Sequence, residues 1–332
     1  MSLPPVQLTT TQRLVASARR AGPGLIVYLM VPVLFLGGGV FVEGFTGASS
    51  IRALLVLAAI LGIACIGQTL AIVSGGIDLS VPALIGMADV MATQLYGRSL
   101  PFGAVTAIVL TAALIVGALN GLLAKVLNTH SLIVTLAMSS LVFGSVLVLT
   151  RGDTGGRIPD WLTQFVSPAG SIGPVPIPGV VVLWAVLAAA TVVFQYKTVI
   201  GRWVYAMGAN PTAGRLALIP PVLLSMIVFA LSALFAAVTG ILLAGFSGGA
   251  DPSVGDPYLF TTIAAVVIGG TSLIGGRGGY GRTIAGVLLI TVLTTLLVGL
   301  GASDAIQQML LGVLIVVMIA IYGRQRRVRE EV

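Results

Sequence analysis

Ten apolar runs, each long enough to cross a lipid bilayer, divide the 332-residue chain and set its fold class before any motif is considered. They fall at 24–42, 51–74, 79–97, 102–124, 131–150, 179–196, 220–246, 258–274, 283–301 and 303–322. A helix rising 1.5 Å per residue needs about 17–27 residues to traverse a hydrocarbon core of about 30 Å, and every run has that length. Strands of a membrane barrel would alternate with period two, which these runs do not. Only 8% of the residues are charged, so the surface faces something other than water. The expectation is an all-α integral membrane protein with about ten transmembrane helices. The run at 258–274 is short and ends in glycines, so a broken or partly re-entrant helix is expected there.

Basic residues set the sidedness. With the N-terminus in the cytoplasm, 13 of the 17 lie inside, and only Arg52, Arg98, Arg151 and Arg157 lie outside. That distribution obeys the positive-inside rule and places both termini in the cytoplasm. The chain then divides into a cytoplasmic segment (1–23), a membrane domain (24–322) and a basic cytoplasmic tail (323–332). A cleaved signal peptide is the alternative for the first segment. It is set aside because residues 24–42 are long enough to span and more spans follow. The net charge of +7 does not point to nucleic acid, because the cations cap the apolar runs instead of forming a stripe. Two hydrophilic stretches remain, a Gly- and Pro-rich outer loop at 151–178 and an inner segment at 197–219.

Polar groups inside the spans are the candidates for a route through the membrane. Gln68 lies in the second run. Just after it, Ser74-Gly75-Gly76-Ile77-Asp78-Leu79-Ser80 reads as one helix ending and another beginning. Asp78 or Ser80 would cap the new helix by accepting its free N–H groups, a reading preferred to substrate contact for Asp78. Asp89 sits near the middle of the third run, where a carboxylate needs a partner helix, a cavity or a proton. Asn120 is expected to bond a neighbouring helix, His130 to cap or lie at the surface, and Cys65 to pack as a small apolar residue. A second glycine cluster, Gly269-Gly270-Thr271-Ser272 continuing to Gly279, lacks the GxxxxGK[ST] order of a phosphate loop. It fits a tight helix break beside a pore or a close crossing. One Cys and one His exclude a disulfide framework and a His-cluster metal centre. No catalytic constellation assembles, so an intramembrane enzyme is a poor reading.

Four stretches carry a family resemblance: GQTLAIVSGGIDLSVPALIG (67–86), NGLLAKVLNTHSLIVTLAMSSLVFGSVLVLTRG (120–152), GRWVYAMGANPTAGRLALI (201–219) and AAVVIGGTSLIGGRGGYGRTIAGVLL (264–289). In these the chain closely resembles the permease subunits of the ribose/galactose/xylose family of bacterial ABC importers. The resemblance implies a type II importer-like bundle in the bacterial inner membrane, with two permease chains, identical or different, lining the path. It further implies a dimer of cytoplasmic ATPase subunits that carries the ATP and magnesium, and a secreted or periplasmic binding protein that delivers one sugar. No cofactor is expected on this chain itself. By the same resemblance, 201–219 is the segment coupled to the ATPase, with Gly201, Arg202, Gly208, Asn210 and Pro211 at its centre. Asn-Pro suits the start of a short helix, as cap and first-turn residue. Relatives continue with Ser-Gly-Ile where this chain has Ala217-Leu218-Ile219-Pro220-Pro221, and the double proline stiffens the approach to the seventh run.

Gln68, Gly75, Gly76, Asp78, Ser80, Asp89, Gly269, Gly270, Thr271 and Ser272 are the candidates for lining or shaping the path. Arg151 and Arg157 are the candidates for docking the binding protein. The competing classes are an ion-coupled secondary transporter, which would need paired ionisable groups near mid-membrane, and a permease for another cargo such as a cobalamin, metal chelate or amino acid.

Overall fold

The computed structural model describes residues 27–330, with side chains through Val317. All named elements are helices: α1 (Val27–Phe41), α2 (Ala48–Val73), α3 (Val81–Gly97), α4 (Phe102–Val126), α5 (Ser131–Thr150), α6 (Asp160–Val166), α7 (Gly179–Lys197), α8 (Val199–Ala209), α9 (Pro211–Leu216), α10 (Pro221–Ser247), α11 (Tyr258–Ile268), α12 (Tyr280–Gly299) and α13 (Asp304–Glu330). The segment at 1–23 lies outside the described residues. Helix α13 runs on through the basic tail to Glu330.

Six helices, α2, α4, α5, α7, α10 and α12, are long and apolar enough to cross a membrane. Helix α2 is the axis of the bundle. Its most apolar stretch is 94% buried, although an isolated apolar helix of this composition would suit lipid on every side. Small residues allow this depth of packing, because contact between membrane helices depends on close approach rather than on expelling water. A Cβ at Gly67 would lie 2.4 Å from Ser232 Cα on α10, and one at Gly62 would lie inside the Trp184 ring of α7. The crossing of α10 with α4 and α3 uses the same device at Gly117, Gly121 and Gly240.

Chain direction changes where the sequence supplies caps and breakers. Helix α2 ends with Gly75 in the left-handed region (φ +88°), Gly75 N–H donating to Ile72 O and Gly76 N–H to Ala71 O. This is the Schellman closure, which favours glycine at the left-handed position. Helix α11 ends the same way, with Gly270 at φ +94° and Thr271 N–H donating to Val266 O. The short likeness between the two glycine clusters thus has a common local geometry.

The 258–274 run is indeed broken. Helix α11 has 11 residues, about 16 Å, roughly half a hydrocarbon core. The loop at 151–178 carries one unexpected element, the seven-residue α6, opened by Pro159 and held against the bundle by buried Leu162 and Val166.

Candidate functional site

Three segments far apart in sequence meet on one backbone junction: the end of α2, the end of α8 and the loop from α11 to α12. Gly276 N–H donates to Val73 O at 2.8 Å. Gly208, near the end of α8, sits over that bond; a Cβ there would be 1.9 Å from Val73 O and 2.7 Å from Gly276 N. Gly275 abuts Gly75, and Gly276 abuts Ala209. Four glycines thus let three main chains touch directly. Around them, Tyr205 Oη on α8 donates to Gly278 O at 3.1 Å. Burial and the neighbouring Tyr196 push the Tyr205 hydroxyl up, so it stays protonated and remains a donor. Gln195 Oε1 accepts from Tyr280 N–H at 2.9 Å, and Thr271 Oγ1 accepts from Gly279 N–H at 3.2 Å. Ser272 Oγ accepts from Ile274 N–H within the same loop.

Helices α8 and α9 form a rigid corner. Thr198 Oγ1 accepts from Gly201 N–H and so caps α8, and Gly201 packs against the Phe194 and Gln195 carbonyls. Arg202 is exposed on α8. The Asn210 side-chain Oδ1 accepts from Thr212 N–H and Ala213 N–H, with Pro211 as the first helical residue of α9. Helix α9 closes with Leu218 at φ +60°, Leu218 N–H donating to Arg215 O and Ile219 N–H to Gly214 O. A bulky residue in the left-handed position is uncommon. Leu216 and Leu218 are 81% and 88% exposed, so the corner presents two apolar side chains outward.

The break between α2 and α3 differs from the expected helix cap. Ser80 occupies the cap position of α3, yet its hydroxyl caps nothing. Asp78 Oδ1 instead accepts from Ser80 N–H at 2.9 Å and from Ser80 Oγ at 2.6 Å. Asn120 Nδ2 on α4 donates to Ser80 Oγ at 2.9 Å, completing a relay from α4 to the break. Ser131 and Thr135, on the first turns of α5, accept from Ile77 N–H and Leu79 N–H. The physical reason is that a buried loop must satisfy its own amides, and polar side chains of α4 and α5 do so. Asp78 Oδ2 is without a partner, and Ser232 stands beside the carboxylate without reaching hydrogen-bond geometry.

Gln68 is fully buried with both amide atoms unpartnered. Asp89 is also fully buried; its Oδ2 accepts from Asp251 N–H at 2.7 Å and its Oδ1 has no partner. Gly269 packs against Arg282 and Thr283 of α12 and serves the helix crossing. His130 Nδ1 caps α5 by accepting from Leu132 N–H, and at the far end of that helix Arg151 takes the left-handed closing conformation and is exposed. Arg157 lies over the Tyr96 ring with its guanidinium 3.5 Å from Ser99 Oγ. The junction partners Tyr205 and Gln195 had no signal in the sequence, being ordinary residues on apolar helices. Among the described residues no group of three or more His, Cys, Asp or Glu is arranged to hold a metal ion.

Comparison with known proteins agrees with this architecture. Residues 50–319 match the family model described as branched-chain amino acid transport system / permease component. The probable ABC transporter permease protein YphD of Escherichia coli K12 is 36% identical over 300 residues, covering 89% of this chain and 87% of that protein. The ribose import permease protein RbsC of Bacillus subtilis is 31% identical over 331 residues, covering 94% and 96%. The fructose import permease protein FrcC of Rhizobium meliloti is 31% identical over 311 residues, covering 91% and 85%. No solved structure matches the chain. The matched family spans most of the described bundle, and the chain belongs to it: it is a multi-pass membrane protein and the permease component of an ABC transporter, not an enzyme.

Proposed function

We propose that the chain is the permease of a monosaccharide importer, moving a sugar or related polyol released by a secreted or periplasmic binding protein. A separate dimer of cytoplasmic ATPase subunits, holding ATP and magnesium, drives it, and a second permease chain completes the path. The chain crosses the inner membrane about ten times, with both termini and the α8–α9 corner in the cytoplasm. The observation that carries this reading is the junction at Gly208. A short capped corner that exposes Leu216 and Leu218, and touches two helix breaks through close backbone contacts and the Tyr205 hydroxyl, is suited to pass a push from outside the membrane into the bundle. The full-length likeness to permeases named for ribose and fructose supports a sugar cargo.

Uptake of labelled ribose and fructose in cells, with proton and sodium gradients collapsed or ATP depleted, tests the proposal. Uptake that survives gradient collapse and stops on ATP depletion is expected. The opposite result favours an ion-coupled transporter. The family description favours one second reading, a branched-chain amino acid as cargo. Labelled leucine in the same assay decides between them.

A further inference from the structure

Residues 248–257 were expected as a loop outside the membrane, but their packing gives them a different depth. Gly240, about two turns before the end of α10, faces Ile85, Ala88 and Asp89 of α3. After α10 ends at Ser247, the chain turns back instead of continuing outward. Pro252 O comes up against Gly86, where a Cβ would sit 2.0 Å away. Gly255 comes up against Pro82 O, one turn further toward the start of α3, again at 2.0 Å for an added Cβ. The segment therefore descends about 16 Å along α3, by about two turns to regain Gly240 and one more to Pro82. Half-helix α11, about 16 Å long, then covers the remaining depth to the junction at Gly276. The two halves together make one crossing of a core of about 30 Å, and its first half is not helical.

Non-helical backbone at this depth is tolerated only where it is buried in protein or lines water. Asp251, Ser253 and Asp256 are exposed. Two exposed carboxylates facing hydrocarbon would cost several kcal/mol, so the face they share must meet water. Asp251 uses Oδ1 to accept from Ser253 N–H at 2.8 Å, a bond that engages neither its other oxygen nor the Ser253 hydroxyl. Behind them stands Asp89, fully buried, aimed at the segment through its bond to Asp251 N–H and carrying one oxygen without a partner. The grouping is rich in acceptors and offers a hydroxyl, but no cation. A neutral polyhydroxylated solute, whose O–H groups donate, is the chemistry that meets it.

We infer that residues 251–256 line the aqueous path at mid-membrane, with Asp251, Ser253 and Asp256 contacting the sugar's hydroxyls and Asp89 positioning the segment from behind. This rests on the sugar-permease reading above. The first test is independent of cargo. The only native cysteine, Cys65, is buried, so Ser253→Cys gives a clean target in the assembled transporter in membranes. A membrane-impermeant maleimide should label it, while Leu114→Cys, on an exposed apolar face of α4, should react only with a lipid-soluble reagent. Ribose or fructose should slow the Ser253→Cys reaction. In transport, Asp251→Asn and Asp256→Asn should raise KM by about tenfold to a hundredfold, the equivalent of a lost charged hydrogen bond. Ser253→Cys that is silent to the impermeant reagent and reactive to the lipid-soluble one overturns the inference. So does an unchanged KM in both Asn variants. Impermeant labelling in a protein that carries leucine and no sugar would preserve the aqueous path, but would refute the sugar contacts together with the sugar reading.

Discussion

Gly208→Ala is the sharpest probe of how this permease is driven. The added Cβ would lie 1.9 Å from Val73 O and 2.7 Å from Gly276 N, whereas such contacts belong beyond 3.0 Å. Backbone lies on both sides, so no side chain can rotate away, and α8 must withdraw by about 1 Å, the difference between 3.0 and 1.9. Overpacking of this kind costs about 1–3 kcal/mol. If the Gly276–Val73 hydrogen bond, 2.8 Å long, opens with it, about 1 kcal/mol more is lost. A loss of about 2–4 kcal/mol leaves a folded, assembled protein with a slackened contact between the corner and the two breaks. In proteoliposomes containing the partner ATPase and binding protein, basal ATP hydrolysis should persist while sugar transport per ATP falls by at least about tenfold, the equivalent of 1.4 kcal/mol. Gly281→Ala on α12 is the control, because nothing lies nearer than 3.9 Å to the new methyl. Wild-type transport by Gly208→Ala would refute transmission through the junction. Equal loss of hydrolysis and transport would make Gly208 a packing residue only.

Other consequences follow from single contacts. Asp78→Asn keeps an acceptor for Ser80 and removes a buried charge, so thermal stability in detergent should hold or rise; Asp78→Ala strands Ser80 N–H and should cost about 1–3 kcal/mol. Tyr280→Phe removes the hydroxyl that donates to Gly62 O at 2.6 Å and accepts from Trp184 Nε1 at 2.7 Å, which should cost about 1–3 kcal/mol, read as a lowered Tm. Leu218→Gly relieves a left-handed leucine and should raise stability by about 1 kcal/mol, yet weaken co-purification of the ATPase by removing an exposed apolar contact. Arg157→Glu should reduce stimulation of ATP hydrolysis by the binding protein without changing basal hydrolysis, measured over a titration of that protein.

Much of the fold was legible because lipid imposes a simple rule, and long apolar runs could only become helices. The corner at Asn210-Pro211 was legible too, since an amide cap followed by a first-turn proline is a local signal that needs no tertiary context. The shortness of α11 was announced by the glycines that follow it. What stayed hidden was non-local. Nothing in the spacing of Gly75, Gly208 and Gly276 says that they touch, because a glycine marks room for a neighbour without naming it. The Asp78 turn was misread as a helix cap because Asp and Ser before an apolar run suit either geometry, and only the packing of Asn120, Ser131 and Thr135 selects between them. The depth of residues 248–257 was hidden for a related reason. A short polar stretch after a long helix looks external, and hydropathy carries no information about a backbone that folds back inside.

These hidden features connect. The corner touches α2 at Val73, and the same bond holds Gly276 in the loop that ends α11. Helix α11 is a half-helix between two irregular segments, with the junction at one end and Asp251–Asp256 at the other. It packs on α2 through Cys65, whose sulfur lies 3.9 Å from Thr262 O, and on α12 through Gly286, which abuts Ala265 O. A full-length helix would need the whole bundle to shift with it. A short one, bounded by irregular chain on both sides, is the element that a displacement at the junction would meet first. Displacement of α8 at Gly208 would therefore reach the mid-membrane carboxylates through about three turns of helix. That route needs no polar wire or long-range strain, because a rigid element pressed at one end moves at the other.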